Sequence, residues 1–450
     1  MELIEILKRP EGKTLEFKRE LSAPDRVLKT IVAFANTAGG TLLIGVEDRT
    51  RHVRGIDEPL DVEERLSNLI SDSIAPRLVP EIEILSWRRT SVVAVNVFPS
   101  PSRPHHLKRE GAGSGVYVRV GSTNRRADAD LIGELRRFSR GEAFDEQPMP
   151  GFDSEALDFR AASESFAPVR ALSRRDLETL RLLTVHQGRQ VPTVGGVLLF
   201  GRDREREFPD AWIQAGRFAG RDKSRIVDHV EIHSLPVRAV EEAIAFITKH
   251  SVHGAEIGPV RRVERWSVPP AAAREAVINA VVHSDYAQRG APIRVSVFDD
   301  RLEVENPGLL PFGLTVEDLP QGVSKLRNRV IGRVFHALGL IEQWGSGIQR
   351  MASACRDAGL AVPVFEELAA RFRVTIFTER GARRVRDQRD EAILACIAGS
   401  AGLLTNEIAA AIGLSPRATR TRLARLVGDG LLWEIGTGPQ DPRRRYLTAE

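Results

Sequence analysis

Two rhythms of apolar and polar positions run along this chain, and the switches between them mark its elements. From 274 to 286, REAVINAVVHSDY is apolar nearly all round, with Val277, Ile278, Val281 and Val282 interrupted by a single polar line. That line is Glu275, Asn279 and His283, spaced i, i+4, i+8, so on a helix all three side chains leave from one face. A carboxylate, an amide and an imidazole are costly to desolvate, so the pattern predicts a buried helix that meets something polar.

Elsewhere the pattern predicts four regions. Residues 1–138 alternate helices with short strands and stop before SRGEAFDEQPMPGFDSEALDF, whose acids and prolines read as a linker over 139–170. Residues 171–262 predict a central α+β region: a helix in SRRDLETLRLLTVHQG, a buried strand in GGVLLFG and a helix in PVRAVEEAIAFITKH. Residues 263–379 begin near the polar-lined helix and close on the strand RFRVTIFTE. Beyond the arginine-rich RGARRVRDQR, residues 388–450 predict a small domain. There LTNEIAAAIGL is a helix with Thr405 at its start and Gly413 at its end, and SPRATRTRLARLVGDG is a second, with Ser415 capping and Pro416 in the first turn. LLWEIG and RRRYLTA then make a hairpin.

Composition narrows the class. A chain of 450 residues predicts about three domains. With 42% hydrophobic and 28% charged residues it reads as globular. Its start, MELIEILKRPEG, carries acids where a secretion signal needs a basic stretch, and no apolar run reaches the length of a membrane span. The expected compartment is the cytoplasm, with no membrane partner. Cys355 and Cys396 fall in helix-like patterns, which predicts core packing rather than a disulfide or a zinc site. Net charge is +4, and residues 380–450, with twelve arginines, no lysine and eight acids, hold that whole excess. A basic, arginine-only tail points to phosphate contact.

Helix, turn, helix and basic hairpin together resemble a winged helix. The resemblance implies DNA contacts from Arg417, Thr419, Arg420, Thr421 and Arg422 on the second helix, and from Arg443, Arg444 and Arg445 along the wing. The alternative is a solvated face on a protein-interaction module.

At the other end, EGKTLEFKREL precedes the helix PDRVLKTIVAFANTAGG and the strand TLLIGVED, with YVRVGSTNRRA further on. Through Glu11, Glu16, Phe17, Lys18, Ala33, Phe34, Asn36, Gly39, Gly40, Gly45, Val46 and Asp48 this region resembles the Schlafen-type AlbA domain. The resemblance implies nucleic-acid binding. In animal Schlafen proteins three acids of this domain form a metal-dependent ribonuclease site; the matching positions are Glu11, Glu16 and Asp48, which implies Mn²⁺ or Mg²⁺ activating a water. The alternative is that these acids pair with neighbouring charges and cleave nothing.

The polar-lined helix gains a meaning in the same way. A Glu four residues before an Asn, followed by a hairpin and a glycine-rich turn, resembles the Bergerat-fold ATPases of gyrase, MutL and histidine kinases. The resemblance implies ATP or another purine nucleotide with Mg²⁺: Asn279 would hold the metal that bridges the phosphates, and Glu275 would polarise water. PIRVSVFDDRLEVENPG predicts two strands ending at Asn306-Pro307-Gly308, where that family has an Asp-x-Gly adenine box. Here Asn306 replaces the Asp, so an oxygen acceptor is kept and its charge lost. In EQWGSGIQRMASAC, Gly345 and Gly347 open a helix whose free amides favour phosphate. Lys325 and Arg327 of SKLRN would form a phosphate-contacting lid between them. The alternative is a domain that keeps the fold for dimerisation, with the polar line hydrogen-bonded inside.

The expected fold is therefore an α+β multidomain chain: a Schlafen/AlbA-type α/β domain, a Bergerat-like α/β sandwich and a C-terminal winged helix-turn-helix. This order resembles bacterial transcriptional regulators once labelled RecG-like, which implies a DNA-binding regulator with a nucleotide-sensing domain, acting as a homodimer or higher homo-oligomer. Two alternatives are a metal-dependent nuclease of RNA or DNA and a DNA-organising structural protein. His105-His106 in SPSRPHHLK reads as a surface loop rather than a metal site, and His229 and His233 lie in a strand-like stretch that would not bring them together. There is no Walker loop, so helicase activity is not expected.

Overall fold

In the computed structural model, which describes residues 3–48, 50–251, 253–257, 262–342, 345–378, 388–398, 400, 402–428, 431–435 and 444–448, the chain divides into two units, Met1–Glu379 and Arg380–Glu450. The first begins with a sheet. Strand β1 (Leu15–Lys18) leads through helix α1 (Pro24–Asn36) to β2 (Gly40–Ile44), and the crossover makes these two strands parallel. Strands β3 (Glu81–Trp87) and β4 (Thr90–Val97) complete the order β1-β2-β4-β3. Proline at the first turn starts α1, and Val27, Ile31 and Phe34 bury its inner face. The glycine pair before β2 has a steric cause: Gly39 sits at φ 78°, and a Cβ on Gly40 would stand 2.8 Å from the Thr14 carbonyl. Helix α2 (Ala129–Ser139), capped by Asp128 on the Leu131 amide, ends this region.

Residues 139–170 differ from the expected linker. Leu157, Ala162 and Phe166 are buried in the main core of the unit. The acids that made the stretch look solvated act as helix caps: Asp158 accepts from the Arg160 and Ala161 amides, and the buried Asp145 from those of Arg329, Val330 and Ile331 at 2.9, 2.6 and 3.0 Å.

The boundary expected at 262 also dissolves. Strands β5 (Ile213–Phe218) and β6 (Ile226–Ile232), helix α3 (Pro236–His250), helix α4 (Pro270–His283) and strands β7 (Ile293–Val297) and β8 (Arg301–Pro307) follow in sequence. After them come helices α5 (Arg329–Ala337) and α6 (Gly347–Asp357) and strands β9 (Val364–Leu368) and β10 (Arg371–Phe377). They build one six-stranded sheet, β6-β5-β7-β8-β10-β9, in which β5 pairs parallel with β7 across the expected boundary, Ile213 opposite Ile293. Helix α4 packs on α3, α6 and β8, which is why its sequence is apolar nearly all round. Its last carbonyls do not go unmet: the Asn328 amide donates to Val282 O and Ser284 O at 2.9 and 2.7 Å.

Three local expectations change type. GGVLLFG is part of a helix, Val194–Phe200, not a strand; every residue of it is buried, so periodicity could not distinguish the two, and Thr193 caps it through the Gly196 amide. The helix expected in SRRDLETLRLLTVHQG ends at Thr179, and LTVHQG enters a hairpin, turned where Gln187 and Gly188 take left-handed φ of 48° and 76°. His105 is not in a surface loop but fully buried, its ring against Ser100 Oγ at 2.7 Å and the Pro76 carbonyl at 2.9 Å.

The second unit holds helices α7 (Gln388–Ile397), α8 (Thr405–Ile412) and α9 (Pro416–Gly428), then strands β11 (Leu432–Ile435) and β12 (Arg445–Thr448), which pair with each other; β12 also pairs with Leu403–Leu404. Ile393, Ile397, Ile408, Leu423, Leu426, Leu432 and Tyr446 make its core. Gly413 ends α8 at φ 66°, and Ser415 caps α9 on the Ala418 amide. Among the described residues no helix is long and apolar enough to cross a membrane.

Candidate functional site

The polar line of α4 opens into one cavity of about 1030 Å³, a volume that includes its mouth. Glu275, Asn279 and His283 form one wall, while Asn306 from β8, Lys325, and Gly345 and Gly347 at the start of α6 close the polar edge. Leu310, Leu314, Phe372 and Val374 supply an apolar side. Gly308 does not line it; at φ 98° a Cβ there would stand 2.9 Å from Asp285 Cβ, so its glycine serves the turn behind the wall.

Each polar group meets something different. Glu275 is buried and accepts from Arg350 at 3.2 and 3.3 Å and from Arg274 at 3.3 Å. The Asn279 amide makes no hydrogen bond among the described residues while lining the cavity. Among the described residues His283 Nδ1 is buried without a hydrogen-bond partner, and burial, with help from Arg327, pushes the imidazole down to about 4, so the ring is neutral at pH 7. Asn306 donates its amide hydrogens to Pro307 O at 3.0 Å and His283 O at 3.5 Å, which leaves its oxygen to accept from a ligand. Gly347 permits a close approach: a Cβ there would lie 2.7 Å from Glu275 Oε2 and 3.7 Å from Asn279 Nδ2. An apolar wall, an uncommitted acceptor beside it, and the unbonded Asn279 amide near the start of α6 fit a purine nucleotide with its phosphates and Mg²⁺.

The expected lid differs in its second cation. Arg327 is buried and ion-pairs with Glu134 of α2 while donating to Leu309 O, so it is turned away from the cavity. Lys325 lines the cavity, yet its Nζ donates to Phe312 O at 3.2 Å and lies 5.5 Å from the ring of Phe138 on α2. The loop that closes the cavity is thus held by the N-terminal region, which Lys13 also joins to Glu367 of β9 at 2.7 Å.

The acids of the N-terminal region do gather. Glu11 accepts from the Phe17 amide at 2.6 Å, and burial, a hydrogen bond to Asp48 and the charge of Glu16 combine to push its carboxyl up to about 7. Glu16, however, is buried in ion pairs with Lys18 and Arg119, and Arg119 is itself 1% exposed. Two cations therefore already neutralise the position where a metal would need an open carboxylate. Among the described residues no group of three His, Cys, Asp or Glu is arranged to hold a metal, so the residues as they stand do not fit Mn²⁺ or Mg²⁺.

On α9, Arg417, Arg420 and Thr421 are exposed and share one face, together with Ala424. Two expected contacts differ. Thr419 is fully buried, its hydroxyl donating to the Ser415 carbonyl at 3.1 Å. Arg422 pairs with the buried Asp390 of α7 at 2.7 Å and so serves the domain's own packing. On the wing, Arg444 pairs with Glu434 at 2.8 Å and Arg445 donates to the Gly402 carbonyl at 2.7 Å; Arg443 lies outside the described residues.

Three family models match this chain: "Schlafen, AlbA_2" over 11–128, "Putative ATP-dependent DNA helicase recG C-terminal" over 290–376, and "Winged helix-turn-helix DNA-binding" over 386–432. The chain joins an AlbA_2 domain, an ATPase-like domain and a winged helix, in that order. The match to the ATPase-like domain begins after α4, so Glu275, Asn279 and His283 lie outside it. Among solved structures, the DIP2311 protein from Corynebacterium diphtheriae is similar at 18% identity, covering 99% of this chain and 98% of that one, with a TM-score of 0.44. The N-terminal domain of a protein from Nitrosomonas europaea, titled "Putative ATP-dependent DNA Helicase RecG-related Protein", is 24% identical over 28% of this chain and 94% of that one, with a TM-score of 0.23. No curated protein matches the chain.

Sequence reading missed Arg350, the main partner of Glu275. A signal was present: Arg350 stands three residues after Gly347, hence on the same face of α6. It also missed Arg119, which neutralises the acid cluster of the AlbA_2 domain from a strand far along the chain.

Proposed function

We propose that this protein is a cytoplasmic, DNA-binding transcriptional regulator whose ATPase-like domain senses a purine nucleotide and whose winged helix reads its operator as a homodimer or higher homo-oligomer. The observation that carries this reading is the single cavity shared by Asn279, His283, Asn306, Lys325, Gly345 and Gly347, in a chain that also carries a winged helix. The bound metal would neutralise phosphate charge; the protein's part is to position. Asn279 would take the metal, the Asn306 oxygen would accept from the exocyclic amine of a base, and the α6 amides would hold the phosphates. Glu275, tied to Arg350 and Arg274, is restrained from acting as a free base, which favours sensing over rapid turnover.

The test is genome-wide mapping of bound DNA for the full chain and for Asn279→Ala, combined with thermal melts in Mg-nucleotide. Discrete sites support regulation, whereas uniform coverage supports a DNA-organising protein. At a hundred times the dissociation constant, nucleotide stabilises the wild type by about 2.7 kcal/mol, and Asn279→Ala removes that gain. No shift with any Mg-nucleotide up to millimolar concentration refutes the sensing role.

A further inference from the structure

The segment Val323-Ser324-Lys325-Leu326, one wall of the α4 cavity, is fixed at its ends and loose between them. At one end Gly322 turns at φ 81°. At the other, Arg327 is ion-paired to Glu134 of α2, and the Asn328 amide is bonded to the last carbonyls of α4. All four residues between are exposed, so Val323 and Leu326 leave apolar surface in water. Ser324, Lys325 and Leu326 also line a cleft on the α2 side, together with Glu134 and Phe138, so the segment is a thin wall between two spaces.

Contacts from the N-terminal region turn Lys325 to the α2 side. Its amine donates to Phe312 O at 3.2 Å and lies 5.5 Å from the Phe138 ring of α2. Phe312 stands edge-on to Phe138 with ring centres 5.6 Å apart, and the buried Arg103 guanidinium lies over both rings, at 4.8 Å from Phe138 and 5.4 Å from Phe312. The next amide, Gly313 N, donates to Thr37 O just past α1 at 3.1 Å. Gly313 holds φ 88°, and a Cβ there would stand 3.1 Å from the Lys325 amine, so the glycine makes room for the docked cation. The docking is weak all the same: among the described residues no carboxylate pairs with Lys325, and it shares the Phe138 ring with a second cation.

We propose that the N-terminal region is a lock on the α4 cavity: Phe138 and Phe312 hold the Lys325 amine off the phosphate position, and a nucleotide binds by drawing it away from them while Arg327 and Asn328 stay fixed. The lock rests on the nucleotide reading of the cavity. A phosphate offers Lys325 the anionic partner it lacks in the free protein, and the inward swing covers Val323 and Leu326. Anything that shifts α2 or Phe312 therefore changes nucleotide affinity, and bound nucleotide biases the N-terminal region by the same free energy.

The experiment is calorimetric titration of the full chain with Mg-ATP and Mg-GTP, for Phe138→Leu, Lys325→Met and the double variant beside the wild type. Leucine keeps apolar bulk against Phe312 but offers the amine no ring face, so Phe138→Leu should tighten nucleotide binding about threefold. Lys325→Met should weaken it at least tenfold, because the phosphate loses a charged donor. In the double variant the threefold gain should vanish, leaving the affinity of Lys325→Met alone. A Phe138 that only packs would lower the melting temperature without tightening the nucleotide. The lock alone is overturned if the wild type binds and Phe138→Leu binds no more tightly, or if the gain persists once Lys325 is replaced. Binding of neither nucleotide by the wild type or by Phe138→Leu overturns the nucleotide reading and the lock together.

Discussion

Placing a methyl on Gly347 separates the fold from the function assigned to its cavity. Gly347 opens α6 with φ outside the left-handed region, so alanine is compatible with the backbone and gains about 0.5–1 kcal/mol over glycine in a helix. Against this, the new Cβ would stand 2.7 Å from Glu275 Oε2, well inside contact distance. The carboxylate must swing aside while Arg350 and Arg274 hold it, at a cost of about 0.5–1.5 kcal/mol for an off-rotamer side chain. The two effects nearly cancel, so the melting temperature of Gly347→Ala should lie within about 3 °C of wild type. Binding has no such compensation. The methyl and the displaced carboxylate both crowd the space beside Asn279, where phosphate and metal would sit, so Mg-nucleotide affinity should fall at least tenfold, about 1.4 kcal/mol. Calorimetric titration with Mg-ATP and Mg-GTP, alongside thermal melts, reads both quantities. A variant that melts normally and binds within twofold of wild type would refute the assignment of phosphate to this end of the cavity.

Other outcomes are expected elsewhere in the chain. Because Glu11 is raised from 4.5 to about 7 in the folded state, the native protein holds a proton that the unfolded chain releases between those values. Stability should therefore fall as pH rises through that window, and Glu11→Gln should flatten the dependence in melts taken from pH 5 to 8. Asp145→Ala leaves three amides at the start of α5 unmet and should cost about 1–2 kcal/mol in chemical denaturation; no loss would mean that α5 is capped otherwise. Arg417→Ala with Arg420→Ala should reduce the salt slope of duplex binding by about 1.8, near 0.9 per phosphate, and an unchanged slope would remove these side chains from the DNA interface.

Where physics is local, the sequence was enough. The polar line on α4, the glycine pair before β2, the Gly413 stop and the Ser415 cap each depend on a few neighbouring residues, and the order of the three recognisable domains follows from such motifs. Where a run was buried on every side, as in Val194–Phe200, the pattern lost its period and with it the difference between helix and strand.

What each polar group would meet belonged to the tertiary structure. Periodicity says which face a side chain occupies but not what stands opposite. Glu16 meets an arginine 103 residues away, Arg327 a glutamate 193 residues away, and Asp145 the helix start at 329–331. Those pairings put Glu16 of the acid cluster into an ion pair, made a lid cation a tie to the N-terminal region, and made an acidic connector part of the core. A buried charge requires a partner, and the chain can supply one from any distance; the sequence alone determined that Glu275, Asn279 and His283 need partners, and only the fold decided that Arg350 answers the first while the other two face an open cavity.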